Sequence, residues 1–148
     1  MDQLITNDVY RFLFENSFDA ILLTHPNGTV YRANPVACEM FQRTEEEICR
    51  LGRCGVIDVD DPRLELALRE REINGKVRAE LNFKRRDGSV FPTECTSTIF
   101  KDGESKTWTV IIVRDMSLLK TAEELMRKAQ EESAYFATYD YLTGTLNR

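Results

Sequence analysis

The side chains in this 148-residue sequence best able to do chemistry are four cysteines, one histidine and a few charged groups. Cys38, Cys49, Cys54 and Cys95 form no Cys-x-x-Cys pair, so they spell neither a zinc site nor a haem-attachment sequence. A chain of this size can bury a core without crosslinks, which makes reduced cytoplasmic thiols the simpler account, although an even number of cysteines also permits disulfides. His25 lies beside Pro26 and is expected to be a solvated turn residue. No nucleophile–base pair and no metal-ligand cluster can be assembled, so the chain is expected to have no catalytic residues and no metal centre. Two arrangements keep chemical interest. Leu81, Phe83, Thr93 and Cys95 fall on one inward row and, with Phe41, could line a small-molecule pocket or simply pack the core. Lys84, Arg85 and Arg86 form a basic run, and Asp115 stands ready to pair with Arg85 or Arg86 if the strands bring it near.

Periodicity and capping signals place these residues on helices, strands and turns. Leu4, Tyr10, Leu13 and Phe14 mark an amphipathic helix over about 4–16. Ala20–Leu23 and Thr29–Ala33 flank Pro26-Asn27-Gly28 and predict a hairpin. Asn34-Pro35 starts a short helix to Phe41, and Thr44 with Glu47 has capping-box spacing for another. A third helix begins near Asp61-Pro62, carries Leu64, Leu66 and Leu68, and stops at Asn74-Gly75. Val77, Ala79, Leu81 and Phe83 then alternate with polar residues, as in a half-buried strand. A three-residue loop, Arg86-Asp87-Gly88, keeps like faces together by pairing Phe83 with Phe91 and Ala79 with Cys95. After a turn at Lys101–Ser105, the segment KTWTVIIVRD is apolar on both faces and reads as a central strand with its outer face covered. That pairing returns Asp115 to within a residue or two of Val90. Sequential hairpins give an α+β architecture: a five-stranded antiparallel sheet, short helices on one face, an N-terminal helix and a long C-terminal helix.

Composition sets the outer limits. The chain is 42% hydrophobic and 30% charged, as expected of a globular domain, and its net charge of -5 argues against nucleic-acid or anionic-membrane partners. No apolar run reaches membrane-spanning length, and the N-terminus has no signal-peptide pattern.

From about Tyr10 to Ser117 the order of elements and the phrases FLFENSFDAILLTHPNGTVYRANPVACEMF, LGRCGVIDVDDPR, FKRRDGSVFPTECT and VIIVRDMS resemble the PAS family of cytosolic sensor domains. Asp115-Met116-Ser117 stands where that family carries an Asp-Ile-Thr-like junction into an outgoing helix, with Met116 and Ser117 as mild departures. The last residues, DYLTGTLNR, resemble the entry motif of GGDEF diguanylate cyclase domains, Asp-x-Leu-Thr-Gly-x-x-Asn-Arg, through Asp140, Leu142, Thr143, Gly144, Asn147 and Arg148. The resemblance implies an N-terminal helix over 1–17, a PAS domain over 18–117, a signalling helix over 118–138 and the start of a truncated GGDEF domain over 139–148.

Neither haem nor a covalently bound flavin, two cofactors of the family, is expected here. His25 is at a turn, not on the helix where haem-binding PAS domains place their ligand. LGRCG around Cys54 lacks the Asn, Arg and Phe of the reactive-cysteine motif in light-sensing relatives, so a covalent flavin adduct is not expected. The cofactor is left unknown, with non-covalent flavin, a fatty acid, a small organic acid or an unliganded core all open. On the outgoing helix, Leu118, Ala122, Leu125, Ala129 and Phe136 recur with coiled-coil spacing, and Leu119, Ala122, Met126, Ala129, Ser133 and Phe136 give an overlapping seam. Two such seams suit a homodimer helix able to change register, or else a stripe packed on the domain. The functional expectation is a cytoplasmic PAS input module of a diguanylate cyclase in cyclic-di-GMP signalling. In it Asp115, Ser117, Arg85 and Arg86 relay the signal. The alternatives are a ligand-free dimerisation module, or the input of a histidine kinase, for which no phospho-accepting histidine lies between Ser117 and Arg148.

Overall fold

The computed structural model describes residues 2–143, and side chains from 7 to 134. Helix α1 (Asp2–Asn16) leads into strands β1 (Ala20–Thr24) and β2 (Val30–Ala33). Helices α2 (Pro35–Phe41) and α3 (Glu45–Leu51), a 3-10 turn (Arg53–Gly55) and helix α4 (Arg63–Asn74) follow. Strands β3 (Lys76–Lys84), β4 (Val90–Lys101) and β5 (Thr107–Asp115) complete the sheet, and α5 (Ser117–Thr143) leaves it. The chain divides after Met116 into two units, the sheet domain and α5. No described helix is long and apolar enough to cross a membrane.

The antiparallel sheet has the order β2-β1-β5-β4-β3. The two groups of strands join through β1 and β5 rather than β2 and β3, because the helices carry the chain across one face before β3 begins. This makes β5 central. Its inner residues Thr109, Ile111 and Val113 are buried. The expectation of a covered outer face is corrected: Ile112 is exposed, and Tyr10, Leu13 and Phe14 of α1 line an open cleft of about 630 Å3 with Ile21, Leu23 and Val110.

The three-residue hairpin loop forms as its parity requires. Phe83 pairs with Phe91 and Ala79 with Cys95, with Gly88 at φ +87° in the left-handed region. Asp115 pairs with Thr93, three positions from Val90 rather than one or two, since the β4–β5 ladder ends at that pair.

Local polar chemistry fixes the helices against this sheet. The buried Asn34 side chain accepts from Ala37 N (2.9 Å), capping α2, and from Ile21 N (2.9 Å) on β1. Its amide donates to Phe14 O (3.0 Å) and Asp19 O (3.1 Å), so one residue ties three segments together. The capping box at Thr44 and Glu47 closes on α3. On α4 the expected apolar set needs correction. Leu66 is exposed, and the inward stripe is Leu64, Ala67, Leu68 and Arg71, the helical spacing of a single face. The core is completed by Leu22, Phe41, Ile48, Val56, Ile57, Leu81, Phe83 and Val113.

Candidate functional site

Between α4 and the inner face of the sheet lies a cavity of about 30 Å3, lined on the sheet side by Val77, Leu81, Phe83, Cys95 and Ile111. Leu81, Phe83 and Cys95 of the expected inward row therefore reach it. Phe41 and Thr93 are buried but do not line it: the Phe41 ring stacks on Phe83 with centroids 5.7 Å apart, and Thr93 Oγ1 donates to Leu81 O (2.8 Å). Burial pushes the Cys95 thiol up to about 11, so it is neutral there.

The cavity's other face is unusual for a core. Arg53 and Arg71 both line it, together with Ser97. Arg71 is only 3% exposed. Its Nη1 donates to Ser97 Oγ (3.3 Å) and its Nη2 to Pro26 O (3.0 Å). Glu72 Oε1 lies 3.5 Å from that nitrogen on a largely exposed side chain. Arg53 rests against the same turn: its backbone N–H donates to Gly28 O (2.8 Å), and a Cβ on Gly28 would come within 3.2 Å of the guanidinium carbon. Gly28 also has φ +96°, so glycine is required there twice over. Arg71 Nε and Arg53 Nη1 are buried and have no hydrogen-bond partner among the described residues. Burial, then the nearby charge of Arg71, pushes Arg53 below the usual arginine range. Composition and periodicity did not single out this pair. The signal for Arg71 was a charge on the apolar stripe of α4; Arg53, in a loop, left none.

The second cluster is at the β3–β4 hairpin tip. Arg85 Nη2 meets Asp115 Oδ2 at 2.8 Å, Nη1 donates to Met40 O at the end of α2 (2.6 Å), and the guanidinium lies 3.8 Å from the Phe91 ring centroid. Of the two arginines considered for Asp115, Arg86 instead pairs with Glu47 on α3. The Arg85–Asp115 pair is about three-quarters buried, not exposed. Ser117 is the first residue of α5.

The remaining candidates fall outside these clusters. His25 is half-buried and stacked on Trp108 with centroids 4.5 Å apart, which corrects the solvated turn expected for it; the aromatic neighbour arrives from β5, far along the chain. Cys54 is exposed and does not line the cavity. On α5, Leu118, Ala122, Leu125 and Ala129 are exposed, as are Leu119 and Met126 of the second seam. Phe136 lies outside the residues with described side chains, as do 144–148 altogether.

One comparison decides the family. The model for the PAS domain matches residues 19–117, about two thirds of the chain. The chain belongs to the PAS domain family. A curated relative of this PAS protein, Sporulation kinase E of Bacillus subtilis (strain 168), is 26% identical over 123 residues, covering 82% of this chain and 16% of the kinase. The chain thus spans about one sixth of that relative's length. Among solved structures, the PAS domain of an HTR-like protein from Haloarcula marismortui superposes with TM-score 0.64 at 24% identity, covering 77% of this chain and 94% of that one. A PAS domain from a two-component sensor histidine kinase gives TM-score 0.65 at 18% identity, covering 76% and 98%. At these identities the structures speak for the PAS fold, which here is the α+β sheet with its helices. Residues 19–117 are therefore a PAS sensory signalling domain.

Proposed function

We propose that this PAS domain senses a small molecule in its core and transmits the result through α5, with Asp115, Arg85 and Ser117 at the junction. The observation that carries the proposal is the Arg85–Asp115 pair. A guanidinium anchored on the last turn of α2 grips the final residue of β5, two positions before α5 starts. A shift of α2 would then be felt at the root of α5. Arg86, tied to Glu47, supports the hairpin tip rather than the junction. At about 1.5 Å per residue, the 27 residues of α5 extend about 40 Å. The exposed row of Leu118, Ala122, Leu125 and Ala129 suits a parallel homodimer of such helices.

The effector favoured by the sequence is a GGDEF diguanylate cyclase, supported by the entry-motif resemblance of 140–148. In that class two GTP-loaded domains must face one another, so dimer geometry would set the rate, and the protein would work in the cytoplasm. A second reading, the input of a histidine kinase, is favoured by the likeness to Sporulation kinase E. Expressing the chain with its native downstream sequence and supplying GTP or ATP separates them. Formation of cyclic-di-GMP supports the first, phosphohistidine the second, and neither product rejects both. Asp115→Ala should uncouple output from ligand while lowering Tm only slightly. Disulfide trapping of Leu118→Cys against Leu119→Cys should show the register changing with ligand, and one register crosslinking regardless of ligand would count against switching. A ligand response equal to that of the unmutated protein would sink the relay.

A further inference from the structure

The outer face of the sheet carries an arrangement that neither the core nor the Asp115 junction uses. The cleft of about 630 Å3 between α1 and the sheet falls within the range of small-molecule sites. Its walls are apolar, with Leu13 and Phe14 on the helix side and Ile21, Leu23 and Val110 on the sheet side. The lining runs from Arg32 on β2, across β1 and β5, to Phe100 on β4. Three interstrand spacings make that span about 14 Å. The two ends differ in charge. At the β2 end the Arg32 guanidinium carbon lies 5.2 Å from the Phe14 ring centroid. Arg11, one helical turn before Phe14, lines the cleft as well. Glu45 holds Arg32 at 2.9 Å, whereas Arg11 pairs with no carboxylate among the described residues. No carboxylate lines the cleft, and its β4 end is closed by the Phe100 ring alone.

We propose that this outer cleft binds one medium-chain fatty acid, its carboxylate accepting from Arg11 and its tail lying across β1 and β5 toward Phe100. Charge complementarity selects the occupant. In a chain of net charge -5, an apolar trough with cations at one end suits an anionic amphiphile. A guanidinium can present two parallel N–H donors to a carboxylate, which an alcohol or an ammonium head group cannot use in the same way. Length follows from the strand spacing, since an extended chain of about twelve carbons reaches about 14 Å. Contacts already described would carry occupancy onward from α1. Phe14 O accepts from Asn34, Asn34 caps α2, and Met40 O near the end of α2 accepts from Arg85. The site lies on the opposite face of the sheet from the cavity under α4, so it goes beyond the core reading and can fail without it.

The test uses the purified chain and sodium dodecanoate kept below its micellar concentration. Isothermal titration calorimetry should give saturable binding of one dodecanoate per chain. Dodecyltrimethylammonium has the same tail with the opposite charge, and butanoate has the head group without the tail; each should bind at least tenfold more weakly. Leu13→Glu brings a carboxylate into the cleft from an exposed helix position, and Arg11→Glu inverts the charge at its end. Both variants, checked for native far-UV circular dichroism, should weaken dodecanoate at least tenfold, and Arg11→Glu alone suffices if Leu13→Glu does not fold. Neither residue lines the core cavity, so affinity retained in either folded variant would place the fatty acid elsewhere and overturn the proposal. Absence of saturable binding, or equal binding of the ammonium amphiphile, would overturn it too. Sedimentation velocity in parallel examines the rival occupant. A dimer that Leu13→Glu dissociates, and that does not bind dodecanoate, would assign the cleft to a second copy instead. Because binding is read without any output, each of these results leaves the Asp115 relay standing.

Discussion

The two arginine clusters make opposite use of the same side chain. At the hairpin tip, Arg85 finds a carboxylate, a helix-end carbonyl and an aromatic face, and the neighbouring Arg86 finds Glu47. Inside the domain, Arg53 and Arg71 hold a turn but leave N–H donors buried and unpaired beside a cavity. Satisfied polar groups rigidify a fold, whereas a buried group left unsatisfied is a local cost that the rest of the fold must offset. The comparison sets a fully paired tip against an incompletely paired interior.

Substitutions at fully satisfied polar residues should cost the most. Asn34→Ala removes four hydrogen bonds from a fully buried position and strands two backbone N–H groups, those of Ile21 and Ala37. A loss of about 3 kcal/mol is expected, read as a lower urea midpoint at unchanged slope. Asp61 comes next. Hydrogen bonds from the Arg63 side chain above all, against the cost of burial, hold its carboxyl down at about 2. Its folded value is below the unfolded one, so its stabilisation is complete above about pH 4 and is lost as pH falls toward 2. That amounts to about 2 kcal/mol. Denaturant titrations from pH 6 to 2 should show it, and Asp61→Asn should be less stable at pH 6 and flatter with acid.

Arg85→Gln should cost about 1 kcal/mol, because it breaks a partly buried pair and a carbonyl contact. The smallest effect sharpens the contrast. Arg53→Met, with no ligand added, should change stability by under about 0.5 kcal/mol in either direction, because it trades an incompletely paired guanidinium for apolar packing. A loss as large as that of Asn34→Ala would mean that Arg53 is structural, and the two clusters would then no longer differ in kind.

Much of the frame was readable because its causes are local. A cap needs only a few neighbouring residues, so Asn34, the Thr44–Glu47 box and the Gly75 stop appear where the chain spells them. Strand parity is equally local, which is why Phe83 opposite Phe91 followed from loop length. The inward row was legible by the same alternation, but alternation does not say which inward residues touch space: Leu81, Phe83 and Cys95 do, and Thr93 does not. Nor does it say what stands opposite them. The stacking of His25 on Trp108, the choice of Arg85 over Arg86 for Asp115, and the strand order that makes β1 neighbour to β5 all depend on segments distant in the chain.

Residue types and their spacing by themselves determined the α+β architecture, the boundaries of its elements and the PAS resemblance, since propensity, capping and periodicity act over a few residues. The chemistry of the core depends on contacts between segments distant in the chain. Arg53 and Arg71 are 18 positions apart on a turn and a helix, and each looks solvated by itself. They become neighbours only when α4 and the Pro26–Gly28 turn pack over the same part of the sheet and bring both side chains to one cavity.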